Sequence, residues 1–453
     1  MRVHLINQDN YDIAFFPETK RLFKVNNKAI QLIEAIQDGM EKDSIISEFG
    51  IDEQKYNLYY SQIYESKLIY AAKKETEKMK KYLPRLVLHL TNDCNMRCKY
   101  CYANGGSYGA PRGMMKKTTL DKTLDIFYKE FDGIEYIQFF GGEPLLNFDL
   151  LEYACQQVKK INETREIKTG FAIVINGTLI DERFIHLVKE YDIYVTVSYD
   201  GNRIVHDKMR PFCDGKGTSE VIIKNVNWLK KETEQPKTIE ATYNQYHINE
   251  GLTIVDVVRH INSVMPGIPI HLAPAGGAKN RDFAIKDLSV FADSIHEIME
   301  TWMNAEDKKT VPMYSLAQRI FSGIESINEG NPLICDAGLG TISVSTLGDI
   351  YPCFMFTDQE DLKYGNVFDE VCVFYSKKFQ ELQEKLMSVS IKDKNKECKD
   401  CYIKKLCNGC LGLNSFHSGN PFELSKPLCE MYRKMVDAAL IEYVKWKEST
   451  RGI

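Results

Sequence analysis

From Pro84 to about residue 305 the chain alternates short apolar runs with longer amphipathic stretches. The runs are RLVLHL, IEYIQFF, GFAIVIN, IYVTVSYD, TIEATY and IPIHLAPA, and the stretches that follow them lie near 118–131, 148–161, 181–190, 218–232, 249–264 and 285–303. Short runs rich in Val, Ile, Phe and Tyr predict strands, whereas apolar positions recurring every three to four residues predict helices. Six strand-then-helix units with near-continuous apolar strands predict a parallel sheet covered by helices. Six units fit a partial barrel, an α/β fold in which chemistry sits at the carboxyl ends of the strands.

Residues 1–80 read as a unit of their own. VHLINQ, YDIAFF and RLFKV are short apolar runs, and the turn-like PETK between the last two suggests a hairpin. Three helical stretches follow: KAIQLIEAIQDG, with Ile30, Leu32, Ile33 and Ile36 near helical spacing, then EKDSIISEFG and EQKYNLYYSQIYESKLIY. The charged run KKETEKMKKY suits a solvated linker or a helix end. By pattern alone the unit is an amphipathic cap on the main domain, 84–305. Residues 306–453 have shorter elements and many cysteines, as expected of a domain folded around metal.

Composition narrows the class. A chain of 453 residues suggests about three domains. With 44% apolar residues, 27% charged and a net charge of -5, it reads as a globular intracellular protein with no nucleic-acid footprint. No apolar run approaches the roughly 20 residues of a membrane span, and the N-terminus lacks a signal pattern, so a cytoplasmic protein without a membrane partner is expected. Thirteen cysteines in a reducing compartment do not imply disulfides. Ten of them cluster, at 94/98/101, at 335 and 353, and at 398/401/407/410 and 429. Cys155, Cys213 and Cys372 are left over and are expected to be ordinary buried hydrophobes.

The triplet Cys94, Cys98 and Cys101 lies in TNDCNMRCKYCYANGG, directly after the first strand, with no fourth Cys or His in that stretch. A structural zinc site is closed by four ligands. A four-iron cluster held by three thiolates leaves one iron free for a small molecule, so the triplet points to a reactive iron-sulfur cluster.

On these residues the chain resembles the radical S-adenosylmethionine (SAM) enzymes, and the match runs from 84 to about 300. GGEP, with Gly141, Gly142 and Glu143, follows the second strand, where the family binds the methionine amino group of SAM. Asn176 ends the third strand, Ser198 and Asp200 end the fourth, and Arg210 in HDKMRP is placed for the SAM carboxylate. Tyr100, between the last two cysteines, is placed for the adenine. The chemistry agrees: a zwitterion needs an acid and a base, and an aromatic face suits adenine. In this family the cluster cleaves SAM to methionine and a 5′-deoxyadenosyl radical, which abstracts hydrogen from an unactivated carbon.

Residues 335–429 resemble a SPASM domain, the auxiliary-cluster module of radical SAM enzymes acting on peptides. Cys335, Gly348 and Cys353 are followed by a C-x2-C-x5-C-x2-C run and then Cys429; the family usually has three residues in the last gap of that run. The resemblance implies three 4Fe-4S clusters, one binding SAM and two auxiliary. One auxiliary cluster would use Cys398, Cys401, Cys407 and Cys429. The other would use Cys335, Cys353 and Cys410 and is one ligand short. Sulfatase-maturing relatives carry a further cysteine near the position of Thr341 and an acid where Phe354 stands, and this chain has neither. An open iron could bind a substrate thiol, whereas Cys372 or solvent could close the site and leave an electron conduit.

The N-terminal unit resembles winged-helix leader-recognition elements of enzymes that modify ribosomally made peptides. Together these resemblances imply a peptide maturase of the thioether-forming (sactipeptide or ranthipeptide) type. Its partners would be a precursor peptide with a leader and a low-potential electron donor such as flavodoxin or ferredoxin. A maturase forming carbon-carbon bonds or carrying out another oxidation, and an iron-sulfur electron-transfer protein without SAM chemistry, are the alternatives.

Overall fold

The computed structural model describes residues 2–8, 11–64, 82–277, 281–307, 311–326 and 330–451. The N-terminal unit begins with an antiparallel sheet ordered β1-β2-β3, from β1 (His4–Gln8), β2 (Tyr11–Phe16) and β3 (Arg21–Lys24). Helices α1 (Asn27–Gln37), α2 (Lys42–Phe49) and α3 (Glu53–Tyr64) follow. Asn26 starts α1 by accepting the Ala29 N–H at 2.9 Å, and Gly50 ends α2 in the left-handed region at φ 60°. Alternate residues of a strand face opposite ways, so β2 serves two cores. Its Ala14 packs with Leu32, Ile36, Ile45, Phe49 and Ile63, while Ile13 and Phe15 join the core of the main body. The expected linker KKETEKMKKY, apart from Tyr82, and the end of the third helical stretch lie outside the described residues.

In the main body β4 (Tyr82–Thr91), β5 (Gly133–Gly141), β6 (Gly170–Ile175), β7 (Tyr194–Ser198), β8 (Thr238–Tyr243) and β9 (Ile270–Pro274) pair in chain order, all parallel. The helices between and after them are α4 (Lys117–Glu130), α5 (Phe148–Thr164), α6 (Glu182–Tyr191), α7 (Arg203–Met209), α8 (Ser219–Glu232), α9 (Gln245–Asn249), α10 (Ile254–Val264) and α11 (Val290–Asn304). The far side of β4 is also paired. There β10 (Thr341–Val344) runs parallel to β4, and β11 (Asp349–Tyr351) and β12 (Gly365–Asn366) add antiparallel, completing a nine-stranded sheet with β9 and β12 at its edges. The cysteine-rich region thus begins by extending the main sheet. Helices α12 (Ser315–Glu325), α13 (Lys377–Ser390), α14 (Leu411–Ser418) and α15 (Lys426–Arg451) complete the fold.

The strands are not uniformly apolar. One face packs on the helices through residues such as Leu86, Leu88, Ile137, Phe139, Ile173, Ile175, Val195, Val197, Ile239 and Leu272. The alternate positions carry His89, Gln138, Thr196, Ser198, Glu240, Thr242 and His271 on the other, inner face. This departs from the two-sided apolar burial expected of the sheet. The reason is that the alternate positions meet polar partners rather than a second apolar layer: His89 lies 3.1 Å from Thr357, Gln138 3.4 Å from Arg85 and His271 2.7 Å from Ser315.

The N-terminal sheet is fastened to the C-terminal region. The His4 ring stacks on Tyr402 with centroids 3.5 Å apart, and its Nε2 lies 2.9 Å from Asp437 of α15. Lys20 donates to the Gly323 carbonyl at 2.9 Å, and Lys405 donates to the Glu18 carbonyl at 2.7 Å. Among the described residues no helix is long and apolar enough to cross a membrane.

Leu88 is fully buried on the helix-facing side of β4, the strand flanked by both β10 and β5. Leu88→Ala is expected to cost about 2–5 kcal/mol, seen as a lower urea midpoint, because a cavity adds to the lost transfer energy.

Candidate functional site

The carboxyl ends of β4 and β5 are joined by backbone hydrogen bonds. Gly142 N–H donates to the Thr91 carbonyl at 2.9 Å and Glu143 N–H to the Asp93 carbonyl at 2.8 Å. The approach excludes side chains: a β carbon on Gly142 would lie 2.1 Å from the Asp93 oxygen, and Gly141 adopts φ 132°. The GGE turn is thereby pinned against the loop carrying Cys94, Cys98 and Cys101.

Glu143 is buried. Its Oε2 accepts the Asn176 N–H at 2.7 Å and its Oε1 the Leu145 N–H at 3.2 Å. Burial nevertheless dominates and raises its carboxyl to about 7. The Asn176 side chain turns toward the triplet, with Nδ2 donating to Asn95 Oδ1 at 2.8 Å and lying 3.9 Å from Cys94 Sγ. Burial also pushes the Cys94 thiol up to about 12 and the Cys98 thiol to about 11. Thiolates at these positions call for nearby positive charge, which fits a site for iron.

Tyr100, Asp200 and Arg210 form one network. The Tyr100 hydroxyl donates to Asp200 Oδ2 at 2.5 Å and accepts from Arg210 Nη1 at 2.8 Å. Asp200 Oδ1 accepts the Thr242 N–H at 3.1 Å and lies 3.9 Å from the same Nη1. Arg210 is buried, and its Nε has no partner among the described residues. Such an orphaned donor costs about 1–3 kcal/mol unless a ligand supplies an acceptor, which fits a carboxylate-bearing cofactor. Ser198 ends β7 on the inner face, level with Asn176, because Val197 pairs with Ile175.

Two buried histidines, not singled out in the sequence, clamp the Asp200 backbone. His206 Nδ1 accepts the Asp200 N–H at 3.1 Å, and His247 Nε2 donates to the Asp200 carbonyl at 3.0 Å. Burial lowers both imidazoles' pKa, and the neutral ring provides one accepting and one donating nitrogen. The local signal for His247 is the helix-start pattern Asn244-x-x-His247, in which the ring also accepts the Asn244 N–H.

The remaining clustered cysteines fall into two groups. Cys335 and Cys410 are hydrogen-bonded to each other, and both feel the charge of Cys353 or act on it. The bond from Cys410 lowers the Cys335 thiol to about 7. Cys410 Sγ also lies 3.7 Å from Met355 Sδ. Separately, Cys398, Cys401, Cys407 and Cys429 influence one another. Among the described residues no three His, Cys, Asp or Glu donors converge on one metal-ion position. Thr341 bonds to Arg85 and to Asp336, at 3.0 and 2.8 Å. Of the leftover cysteines, Cys155 is buried as expected, and Cys372 is only partly so. Cys213 is exposed, correcting the expectation, because it lies on the outside of the triplet loop with Sγ 3.7 Å from the Cys94 carbonyl.

Two stretches of the chain match known protein families. Residues 88–262 match the radical SAM superfamily, and residues 335–402 match an iron-sulfur cluster-binding domain, SPASM. The chain is 24% identical to the radical SAM cyclopropyl synthase TigE of Paramaledivibacter caminithermalis, over 96% of this chain and 93% of that protein. It is 25% identical to the antilisterial bacteriocin subtilosin biosynthesis protein AlbA of Bacillus subtilis, over 73% of this chain and 68% of that one. The fold is similar to native anSMEcpe with bound AdoMet and Cp18Cys peptide, with a TM-score of 0.65 and 19% identity over 82% of this chain and 99% of that one. The chain therefore combines a radical SAM domain with a SPASM iron-sulfur cluster-binding domain.

Proposed function

We propose that the protein is a cytosolic maturase that binds the leader of a ribosomally made precursor peptide and joins a cysteine sulfur of that peptide to a carbon of another residue. Cys94, Cys98 and Cys101 would hold a 4Fe-4S cluster with one iron open to SAM. When bound, SAM supplies the 5′-deoxyadenosyl radical that takes hydrogen from the substrate carbon. Glu143 would take the SAM ammonium and the orphaned Arg210 Nε its carboxylate, with Asn176 and Ser198 beside them on the inner face. Tyr100 serves the adenine while its hydroxyl stays tied to Asp200 and Arg210.

The observation that carries the thioether reading is the unequal division of the auxiliary cysteines. Cys398, Cys401, Cys407 and Cys429 suffice for a closed cluster, whereas Cys335, Cys353 and Cys410 are one thiolate short of that number. A substrate thiol can fill the vacant position, and binding to iron favours its thiolate. The six parallel strand-helix units are read as a partial barrel around this chemistry. The N-terminal unit is read as a winged-helix element, and its edge strand β3, with Phe23 46% exposed, offers main-chain groups to a leader strand. Reducing equivalents would come from a flavodoxin or ferredoxin.

A second reading, carbon-carbon bond formation, is favoured by the similarity to TigE along 96% of the chain. The two differ in what becomes of the substrate thiol. Anoxically reconstituted protein with reductant, SAM and a Cys-containing precursor is expected to release methionine and 5′-deoxyadenosine and to yield peptide lighter by two hydrogens and lacking one free thiol. The same mass loss with the thiol intact would favour carbon-carbon bonding, and no cleavage of SAM despite intact clusters would leave an electron-transfer protein.

Glu143→Gln removes the charge that would take the SAM ammonium. SAM affinity, read by equilibrium binding to the reconstituted protein, is expected to fall by about 10- to 100-fold, the worth of one charge-assisted hydrogen bond. Gly142→Ala drives a methyl into the Asp93 carbonyl. It is expected to lower the iron and sulfide retained per chain after anoxic reconstitution, because the triplet loop must move.

A further inference from the structure

Most charged groups on the inner face of the sheet are engaged. Asp200 is held by Tyr100, Thr242 and Arg210, and Arg85 is held by Thr341, Gln138 and Asp336. Glu240 and His271 differ. They are register partners on β8 and β9, so their side chains leave the same face of adjacent strands, roughly 5 Å apart at the backbone. Ser198 on β7 pairs with Glu240, which puts all three in one lateral row, level with Asn176.

The pair is only partly buried, as groups lining an accessible interior should be. His271 Nδ1 is 2.7 Å from Ser315 Oγ, at the start of α12, which fixes the ring and leaves Nε2 without a hydrogen-bond partner among the described residues. The Glu240 carboxylate likewise has no side-chain hydrogen bond there. Burial holds the imidazole below its ordinary pKa; Glu240 opposes that, and Arg319, one turn along α12 from Ser315, adds to it. An imidazole oriented by a hydroxyl on one nitrogen, with a carboxylate beside it and the other nitrogen open, is the arrangement of a general base.

We propose that His271, oriented by Ser315 and supported by Glu240, accepts the proton that the substrate cysteine loses during crosslinking. This rests on the thioether reading above. The balance is as follows. The substrate carbon gives a hydrogen atom to the 5′-deoxyadenosyl radical, and the substrate thiol gives its proton to His271 Nε2. The sulfur-carbon bond forms between the thiolate and the carbon radical, and the surplus electron passes to an oxidised iron-sulfur cluster held by the SPASM cysteines. Glu240 touches no reacting atom in this scheme and acts as a positioning residue through His271.

The test uses the full-length reconstituted protein with a Cys-containing precursor peptide, measuring thioether formed per 5′-deoxyadenosine released across pH. In His271→Gln the ratio is expected to fall by about tenfold or more, and the acid limb of the product profile to disappear. In Glu240→Gln that limb is expected to move to lower pH, since the group that favours imidazolium has gone. A ratio and profile in His271→Gln matching those of the unaltered protein would overturn the proposal. If His271→Gln fails to retain iron, Glu240→Gln decides alone, and an unmoved limb counts against the base. Failure of the underlying reading shows separately, in unaltered protein that cleaves SAM while its peptide keeps every thiol.

Discussion

The candidate site depends on one close approach of backbone to backbone. At the ends of β4 and β5, the Gly142 and Glu143 N–H groups bond to the Thr91 and Asp93 carbonyls, across a gap that admits no β carbon at Gly142. Only glycine permits that distance. The consequence is geometric: the loop that carries three thiols and the turn that carries Glu143 become one rigid piece, and the Asn176 N–H on the next strand completes it by bonding to Glu143. Any group bound between thiols and carboxylate is therefore held by the sheet itself rather than by loops free to drift.

The same economy governs the other side of the site. A buried carboxylate such as Asp200 is costly unless its lone pairs are filled. Here Tyr100 and Thr242 fill them, and the two neutral imidazoles of His206 and His247 hold the backbone from both sides. His206 Nε2 continues to Thr218, whose hydroxyl donates to the Arg210 carbonyl at 2.7 Å. Asp200 and Arg210 are thus joined twice, once through side chains and once through a histidine and a threonine. Moving either would break bonds at both.

Much of this was legible in the chain. The spacing of Cys94, Cys98 and Cys101 after an apolar run, the GGEP turn and the regular strand-helix alternation are local signals, and the structure realises each where those signals lie. What could not be read locally was set by register between distant segments. The short runs TISV, DIY and GN carry too little periodicity to announce that they extend the main sheet, yet β10 pairs with β4 across more than two hundred residues. The alternation of outward apolar and inward polar positions was masked because strands such as TIEATY mix both. Glu240 and His271 are ordinary residues until register makes them neighbours. Cys213 looked like a core thiol because sequence cannot tell the inside of a loop from its outside.

The C-terminal region shows how such a loop-rich segment is kept in place. Lys392, almost wholly buried, donates to the carbonyls of Asn331, Lys404 and Cys407, each at 2.7 Å. Burial lowers its ammonium's pKa, while Cys407, Cys398 and Cys401 raise it, so an ammonium there gains stability in proportion to the negative charge the thiols carry. The loop that Lys392 ties together also bears Tyr402, stacked on His4, and Lys405, bonded to the Glu18 carbonyl. Charge on the four-cysteine group and the seating of the N-terminal sheet therefore act on one short stretch of chain, residues 401–407. Both reach it through direct contacts, the Lys392 ammonium on one side and the His4 ring and the Glu18 carbonyl on the other.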